Sequence, residues 1–280
     1  MRALLPLVVL VAPAAAQQPP QVGDRYELIR SYTTESRTGA TGRSSARGSD
    51  TIEERVTAVT PEGVELVYDL PAGADAAARA RTWELPARVR RGRNGTLTLM
   101  NAGELEQRLT TWLTAAKMDR SMCGKLIFTW NAFRIECDPQ SVLAEIASYD
   151  PADALPIDGT DFSDPDALAP VPLVAQADGR SLVATLAPDP VKVRRARAET
   201  DMAVAEITQA PISLDAALAA HARDQVAGTI TVTLQRGAGG AITRRTRVET
   251  LTITAADGTV ERSSGTRTRE RRPLPAEPAA

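Results

Sequence analysis

The chain has 280 residues and sets 33 basic side chains against 35 acidic ones, a balance that gives no reason to expect a nucleic acid partner. Hydrophobic residues make up 43% and aromatic residues 4%, so the core must be mostly aliphatic and little is left to line a sugar groove. Two cysteines and a single histidine are too few ligands for a structural zinc site, and no cofactor is expected.

At the N-terminus, Arg2 precedes an apolar run over 3–12, Pro13 breaks it, and Ala14, Ala15 and Ala16 follow. This is the pattern of a secretory signal, cleaved after Ala16. Its apolar run is about half of what a bilayer crossing takes, so no integral membrane segment is expected after cleavage. The first cysteine is Cys123, far beyond any lipobox. A periplasmic or secreted protein is therefore expected. Residues 17–23 read as a disordered leader, 24–272 as a single β-rich domain, and 273–280 as a disordered Pro/Ala tail. A subdomain break, if present, falls at 150–172.

From Asp24 the chain is rich in Thr, Val, Tyr and Arg. Tyr26, Leu28, Arg30 and Tyr32 share one face of a strand predicted over 25–37. A Gly/Ser/Arg loop is predicted over 39–48 and a strand over 51–59. Pro61, Glu62 and Gly63 turn the chain, and Val64, Leu66, Tyr68 and Leu70 alternate on the return. Asn94-Gly95 is the strongest hairpin signal, joining 88–93 to 96–100. Asp178-Gly179 joins 173–176 to 181–186. Residues 237–240 (Gly-Ala-Gly-Gly) join 229–234 to 242–247, and Asp257-Gly258 joins 248–254 to a polar strand running towards Arg269. Turns between successive strand-like runs imply sequential antiparallel pairing, a meander.

Three helices are predicted. Asn101 caps the first, with Glu104 in capping-box position, and Leu105, Leu109, Trp112, Leu113 and Ala116 follow helical spacing. Asp138 caps the second, with Pro139 in its first turn and Val142, Leu143 and Ile146 buried. The third spans about 213–223. From Asp138 to Asp178 inclusive there are nine acidic residues and no basic one. This stretch reads as a long loop laid over the domain, with Leu155, Phe162 and Leu168 tucked against a sheet. Arginine-rich tracts run over 79–93 and through Arg244, Arg245, Arg247, Arg262, Arg267, Arg269, Arg271 and Arg272. They read as charges guarding edge strands against aggregation, or as attraction to anionic envelope components.

Leu126, Phe128 and Trp130 alternate, as do Phe133, Ile135 and Cys137. A two-residue turn at Asn131-Ala132 would pair Trp130 with Phe133, Phe128 with Ile135 and Leu126 with Cys137, all facing one way. Cys123 lies just before, and export makes a Cys123–Cys137 disulfide the expectation.

Catalytic patterns are missing. There is no G-x-S-x-G elbow and no S-x-x-K, and H-E-x-x-H and phosphate-binding glycine loops are absent as well. His221 reads as a solvated helix-end histidine. Asp158, Asp161, Asp164 and Asp166 are the best calcium candidates, but their spacing is not that of an EF-hand. They read as solvated loop acids, and no metal is expected.

The predicted architecture is a β-rich α+β fold. Its centre is a large twisted antiparallel sheet, meander or half-barrel-like, with two or three helices, one packed on the sheet. By shape alone, with no shared motif, it is similar to the LolA-like half-barrels of bacterial envelopes. The function expected is non-catalytic: binding an apolar ligand, lipid or envelope lipoprotein in the concavity of a curled sheet. Leu105, Leu109, Trp112, Phe128 and Trp130 are the predicted lining. The alternatives are a structural or scaffold envelope protein docking partners through sheet edges and charged surfaces, and an Asp-based calcium-dependent hydrolase. The partners expected are a lipid, a lipoprotein or another envelope component.

Overall fold

The computed structural model describes residues 19–39, 41–128, 132–152 and 158–275. The signal sequence, Trp130, Asn131, Leu155 and the last residues of the tail lie outside these.

Five strands come first: β1 (Arg25–Thr38), β2 (Gly42–Thr60), β3 (Gly63–Asp69), β4 (Ala87–Gly92) and β5 (Leu97–Leu99), with α1 (Ala76–Arg81) between β3 and β4. Then follow α2 (Ala102–Ala115), the small hairpin of β6 (Leu126–Phe128) and β7 (Ala132–Arg134), α3 (Ser141–Ala147), and the ribbon of β8 (Asp161–Phe162) and β9 (Val171–Pro172). The chain closes with β10 (Val174–Ala175), β11 (Ser181–Leu186), α4 (Pro190–Ile207), α5 (Leu214–His221), β12 (Gln225–Arg236), β13 (Ile242–Thr254) and β14 (Val260–Pro273).

Ten strands form one antiparallel sheet in the order β10-β11-β12-β13-β14-β1-β2-β3-β4-β5. Each half is the predicted meander. The halves are joined by the first and last strands of the sequence, with Leu28 opposite Arg271 and Arg30 opposite Arg269. The predicted β-rich α+β class is thus observed, with five α-helices among the described residues where two or three were expected.

The sheet is curled. β4 and β13 are separated by five strand spacings, about 24 Å on a flat sheet. Yet Arg91 of β4 and Ile242 of β13 line one cavity of about 640 Å³, a volume about 11 Å across as a sphere. Their side of the sheet must be concave.

Side-chain alternation puts Leu182, Ala184, Leu186, Ile230, Val232 and Leu234 in a buried cluster on one flank of the concave face. Leu28, Ile52, Val56, Leu66, Tyr68 and Val89 form a second cluster on the other flank, covered by Leu105, Leu109 and Leu113 of α2 and by Val142 and Ile146 of α3. The convex face carries Ser, Thr and charged residues, the pattern of an antiparallel sheet with one solvated side.

Several expectations are corrected. The predicted loop over 39–48 is largely strand, because β2 begins at Gly42 and its residues 42–55 pair with the whole of β1. The strand runs 242–247 and 248–254 are one continuous β13. Helix α3 starts at Ser141 with Gln140 as its cap, while the Asp138 carboxylate accepts from the Gln140 N–H just before it. Asn101 makes no side-chain cap bond; instead its Oδ1 accepts from the Arg88 N–H at 2.8 Å, tying α2 to β4.

The small hairpin pairs Leu126 with Arg134, Ile127 with Phe133 and Phe128 with Ala132. This register differs by three residues from the predicted one, which rested on a two-residue turn. At the ends of the domain, the Gly23 N–H donates to Val56 O and the Leu274 N–H to Arg25 O. The last leader residues and the first of the tail are therefore pinned to the sheet. The arginines of β13 and β14 stand in the middle of the sheet, so they guard no edge.

Candidate functional site: an arginine belt beneath an acidic crossing

Register places Arg245, Arg269 and Arg30 directly opposite one another on β13, β14 and β1, with Arg247 and Arg267 as the next cross-strand pair. All project from the concave face between the two apolar clusters. Like charges at opposed positions destabilise a sheet, so this belt needs counter-charge.

The acidic connection supplies it. The Arg30 guanidinium donates to Ser148 Oγ at 2.7 Å and pairs with Glu145 at 3.0 Å and Asp50 at 3.2 Å. It also lies 4.7 Å from the Tyr149 ring centroid. Arg269 donates to the Asp150 carbonyl at 3.4 Å. Arg247 donates to both oxygens of Asp164, at 3.0 and 3.2 Å, and to Asp166 at 2.8 Å. Asp164 and Arg247 are both buried. Residues 148–150 and 164–166 are thus held against the concave face, by hydrogen bonds and ion pairs to Arg30, Arg91, Arg247 and Arg269. Phe162 packs against the β11–β13 cluster as expected, but Leu168 is exposed.

Beside these contacts lies the cavity of about 640 Å³, whose polar side is Glu54, Tyr68, Arg91, Arg93, Asp150 and Arg271. Its apolar side is Leu28, Leu97, Ile146 and Ile242. Glu54 is 1% exposed. Its carboxylate accepts from Arg271 at 2.6 Å, the Tyr68 hydroxyl at 2.8 Å and Arg91 at 3.2 Å. Arg91 also donates to Tyr68 Oη at 3.0 Å and sits 3.7 Å from Asp150. Arg271 stacks on Tyr26, and its buried Nε has no partner among the described residues.

Burial works to raise the Glu54 carboxyl, but Arg271, Arg91 and the hydrogen bonds outweigh it and hold the group below the ordinary range. Burial and the neighbouring Glu54 charge push the Tyr68 hydroxyl well up. Burial also raises the Asp150 carboxyl. Arg91 is raised despite its own burial, through Tyr68, Glu54 and Asp150.

A carboxylate saturated by three donors is a poor general base. Its role is to fix two guanidinium groups at the wall of a cavity. With Arg93 exposed at the same wall, the three cations outnumber Glu54 and Asp150. The arrangement can receive an anionic group against an apolar wall.

The predicted lining is placed differently. Leu105 and Leu109 are wholly buried and Trp112 half-buried in the α2 cluster, and none of them lines this cavity. Phe128 stands in β6, and Trp130 lies outside the described residues. The Cys123–Cys137 disulfide is present, with an S–S distance of 2.08 Å. Among the described residues, no group of three or more His, Cys, Asp or Glu side chains is placed to hold a metal ion. Of the calcium candidates, Asp158 accepts from the Ala175 N–H, Asp161 is exposed on β8, and Asp164 and Asp166 are taken up by Arg247.

His221 stands at the end of α5 as expected, but it is not solvated. Its Nδ1 and Nε2 lie 2.8 Å from Asp224 and Asp201, beside Arg197. Sequence reasoning missed Glu54, Tyr68, Arg91 and Arg271 as a group, because three strands and more than two hundred residues separate them. The signal available was a lone glutamate at an inward position of an otherwise aliphatic alternation, Ile52, Glu54, Val56.

No protein-family model matches the chain, and no curated protein does. A solved structure of lipovitellin, described as showing lipid–protein interactions in lipovitellin, is similar over 93% of this chain and 26% of its own. Identity is 10% and the TM-score is 0.36. The chain thus spans about a quarter of that protein, and a likeness at this level fixes neither fold nor function.

Proposed function

We propose that this is an exported, non-catalytic protein that binds an amphiphilic anion, of the fatty-acid or lipid class, in the concavity of its sheet. The reading is carried by the cavity wall, which brings Arg91, Arg271 and Arg93 together with apolar Leu28, Leu97, Ile146 and Ile242. Arg93 would meet the charged end, and the aliphatic side would take the hydrocarbon. Replacing water against that side contributes about 25 cal/mol per Å² of apolar surface covered, while the guanidinium groups fix orientation. The N-terminal signal pattern supports export.

Calorimetric titration with oleate tests the binding. Saturable binding is expected, weakened about tenfold or more by Arg93→Glu, since a charge-assisted hydrogen bond contributes roughly 1.5–3 kcal/mol. Binding should be blocked by Ala147→Trp, because Ala147 lines the cavity and is exposed. No heat with oleate or with dodecyl phosphate, or undiminished binding by both variants, sinks the proposal. Export is tested by fractionation, with a mature N-terminus at Gln17 as the expected result.

A further inference from the structure

On the concave face Arg30, Arg91, Arg247 and Arg271 are paired with carboxylates, whereas one end of the convex face carries a cluster of arginines with no such pair among the described residues. On β2, β1 and β14, Arg43, Arg37 and Arg262 occupy directly opposed positions, with Arg37 between the other two. Strand spacing sets their Cβ atoms about 5 Å apart. All three are exposed, as is Arg47, four residues along β2 on the same face. None of the four forms a salt bridge or side-chain hydrogen bond among the described residues.

The carboxylate inside this patch is Glu35, which also forms no ion pair there. Asp257, in the adjoining β13–β14 turn, accepts from the Thr259 N–H. Around the arginines stand Ser45, Ser264, Thr33, Thr250 and Thr266, all facing the same way by register. Hydroxyls and guanidinium groups are both donors to phosphate oxygens.

We infer that this end of the convex face is a docking surface for an anionic lipid bilayer. Charge complementarity carries the inference. Four cations with one acid, spread over three adjacent strands, present a broad array rather than a pocket. Three of them sit opposed with nothing to neutralise them, a repulsion that a field of lipid phosphates relieves. Apart from Val248, opposite Thr266, the patch is polar, so attachment is electrostatic and peripheral. At its border the Gly39 N–H, in the β1–β2 turn, donates to Val260 O at the start of β14, which ties the two strand ends together. This inference does not depend on ligand binding in the concavity.

The test is co-sedimentation of the full mature chain with vesicles of equal parts phosphatidylcholine and phosphatidylglycerol, set against phosphatidylcholine alone. Binding to the anionic vesicles is expected, lost at high salt as screening shortens the reach of surface charge. Arg37→Gln, Arg43→Gln and Arg262→Gln combined should weaken partition about a hundredfold, at about one basic residue's surface attraction each. Because the substitutions remove opposed like charges, the melting temperature of this variant should be equal to or above that of the wild type. A merely structural role would lower it. Equal binding to neutral vesicles, insensitivity to salt, no vesicle binding at all, or undiminished binding by the triple variant overturns the inference. So does binding of soluble heparin without binding of vesicles, which assigns the patch to a dissolved polyanion. Arg93→Glu, which tests the cavity, should leave vesicle binding unchanged.

Discussion

Glu54→Gln is the most searching perturbation of this fold. The wild-type carboxylate is 1% exposed and accepts from Arg271, Tyr68 and Arg91. Hydrogen bonds to a charged group contribute about 1.5–3 kcal/mol each, and removing one partner of a buried pair costs about 3–5 kcal/mol. Two features reduce the loss. The Arg271 and Arg91 side chains are 28% and 33% exposed, so water recovers part of their solvation. The glutamine carbonyl can still accept one bond. A net loss of about 3 kcal/mol follows, which lowers the melting temperature by about 6–12 °C in a chain of this size.

The pH dependence has a definite sign. Because Glu54 is held below its ordinary value of 4.5, its contribution is complete above that value and is lost as pH falls through the folded-state value. Asp150, raised by burial, acts the other way: its contribution is complete below its ordinary value and fades as pH rises through the raised one. Thermal unfolding by circular dichroism at pH 7 and at stepwise lower pH, for wild type and variant, is the assay. Wild type and variant should converge as the medium turns acidic. A shift under about 2 °C at pH 7, or a gap that widens in acid, refutes this role of the buried Glu54 carboxylate.

Three further outcomes are expected. Leu109→Ala should destabilise by about 2–5 kcal/mol through the cavity it leaves, yet leave oleate affinity unchanged, because Leu109 is core and not cavity wall; urea denaturation and calorimetry together check this. Replacing Cys123 and Cys137 by serine frees a loop whose ends are 14 residues apart, lowering stability by about 3 kcal/mol in the chain-entropy model; a loss near zero in denaturant titration counts against that. Gly228→Ala should cost more than about 3 kcal/mol, since the added Cβ meets Thr250 O at 2.0 Å; a wild-type melting temperature would mean that the β12–β13 pairing is looser than described.

What the sequence determined by itself is local. The Asn94-Gly95 and Asp178-Gly179 turns, the alternation along β3 and β11, the apolar stripe of α2 and the sulfur pair all follow from residues close together in the chain. There the backbone and side-chain physics is complete within a few positions. Helix α4 lay at the limit. Its Asp189 cap and Pro190 start were available, but its buried face is Val193, Ala198 and Ala205, too small to show as a stripe.

Tertiary structure decided the rest. Pairing of β1 with β14 joins strands more than two hundred residues apart, and nothing in either strand names the other. That pairing brings Arg271 to Glu54 and sets Arg30 beside Arg269. The arginine tracts and the acidic stretch were each visible in the sequence. Their meeting was not, because a charge reads the same whether it faces water or a counter-charge on another strand. The curl of the sheet is what folds one over the other.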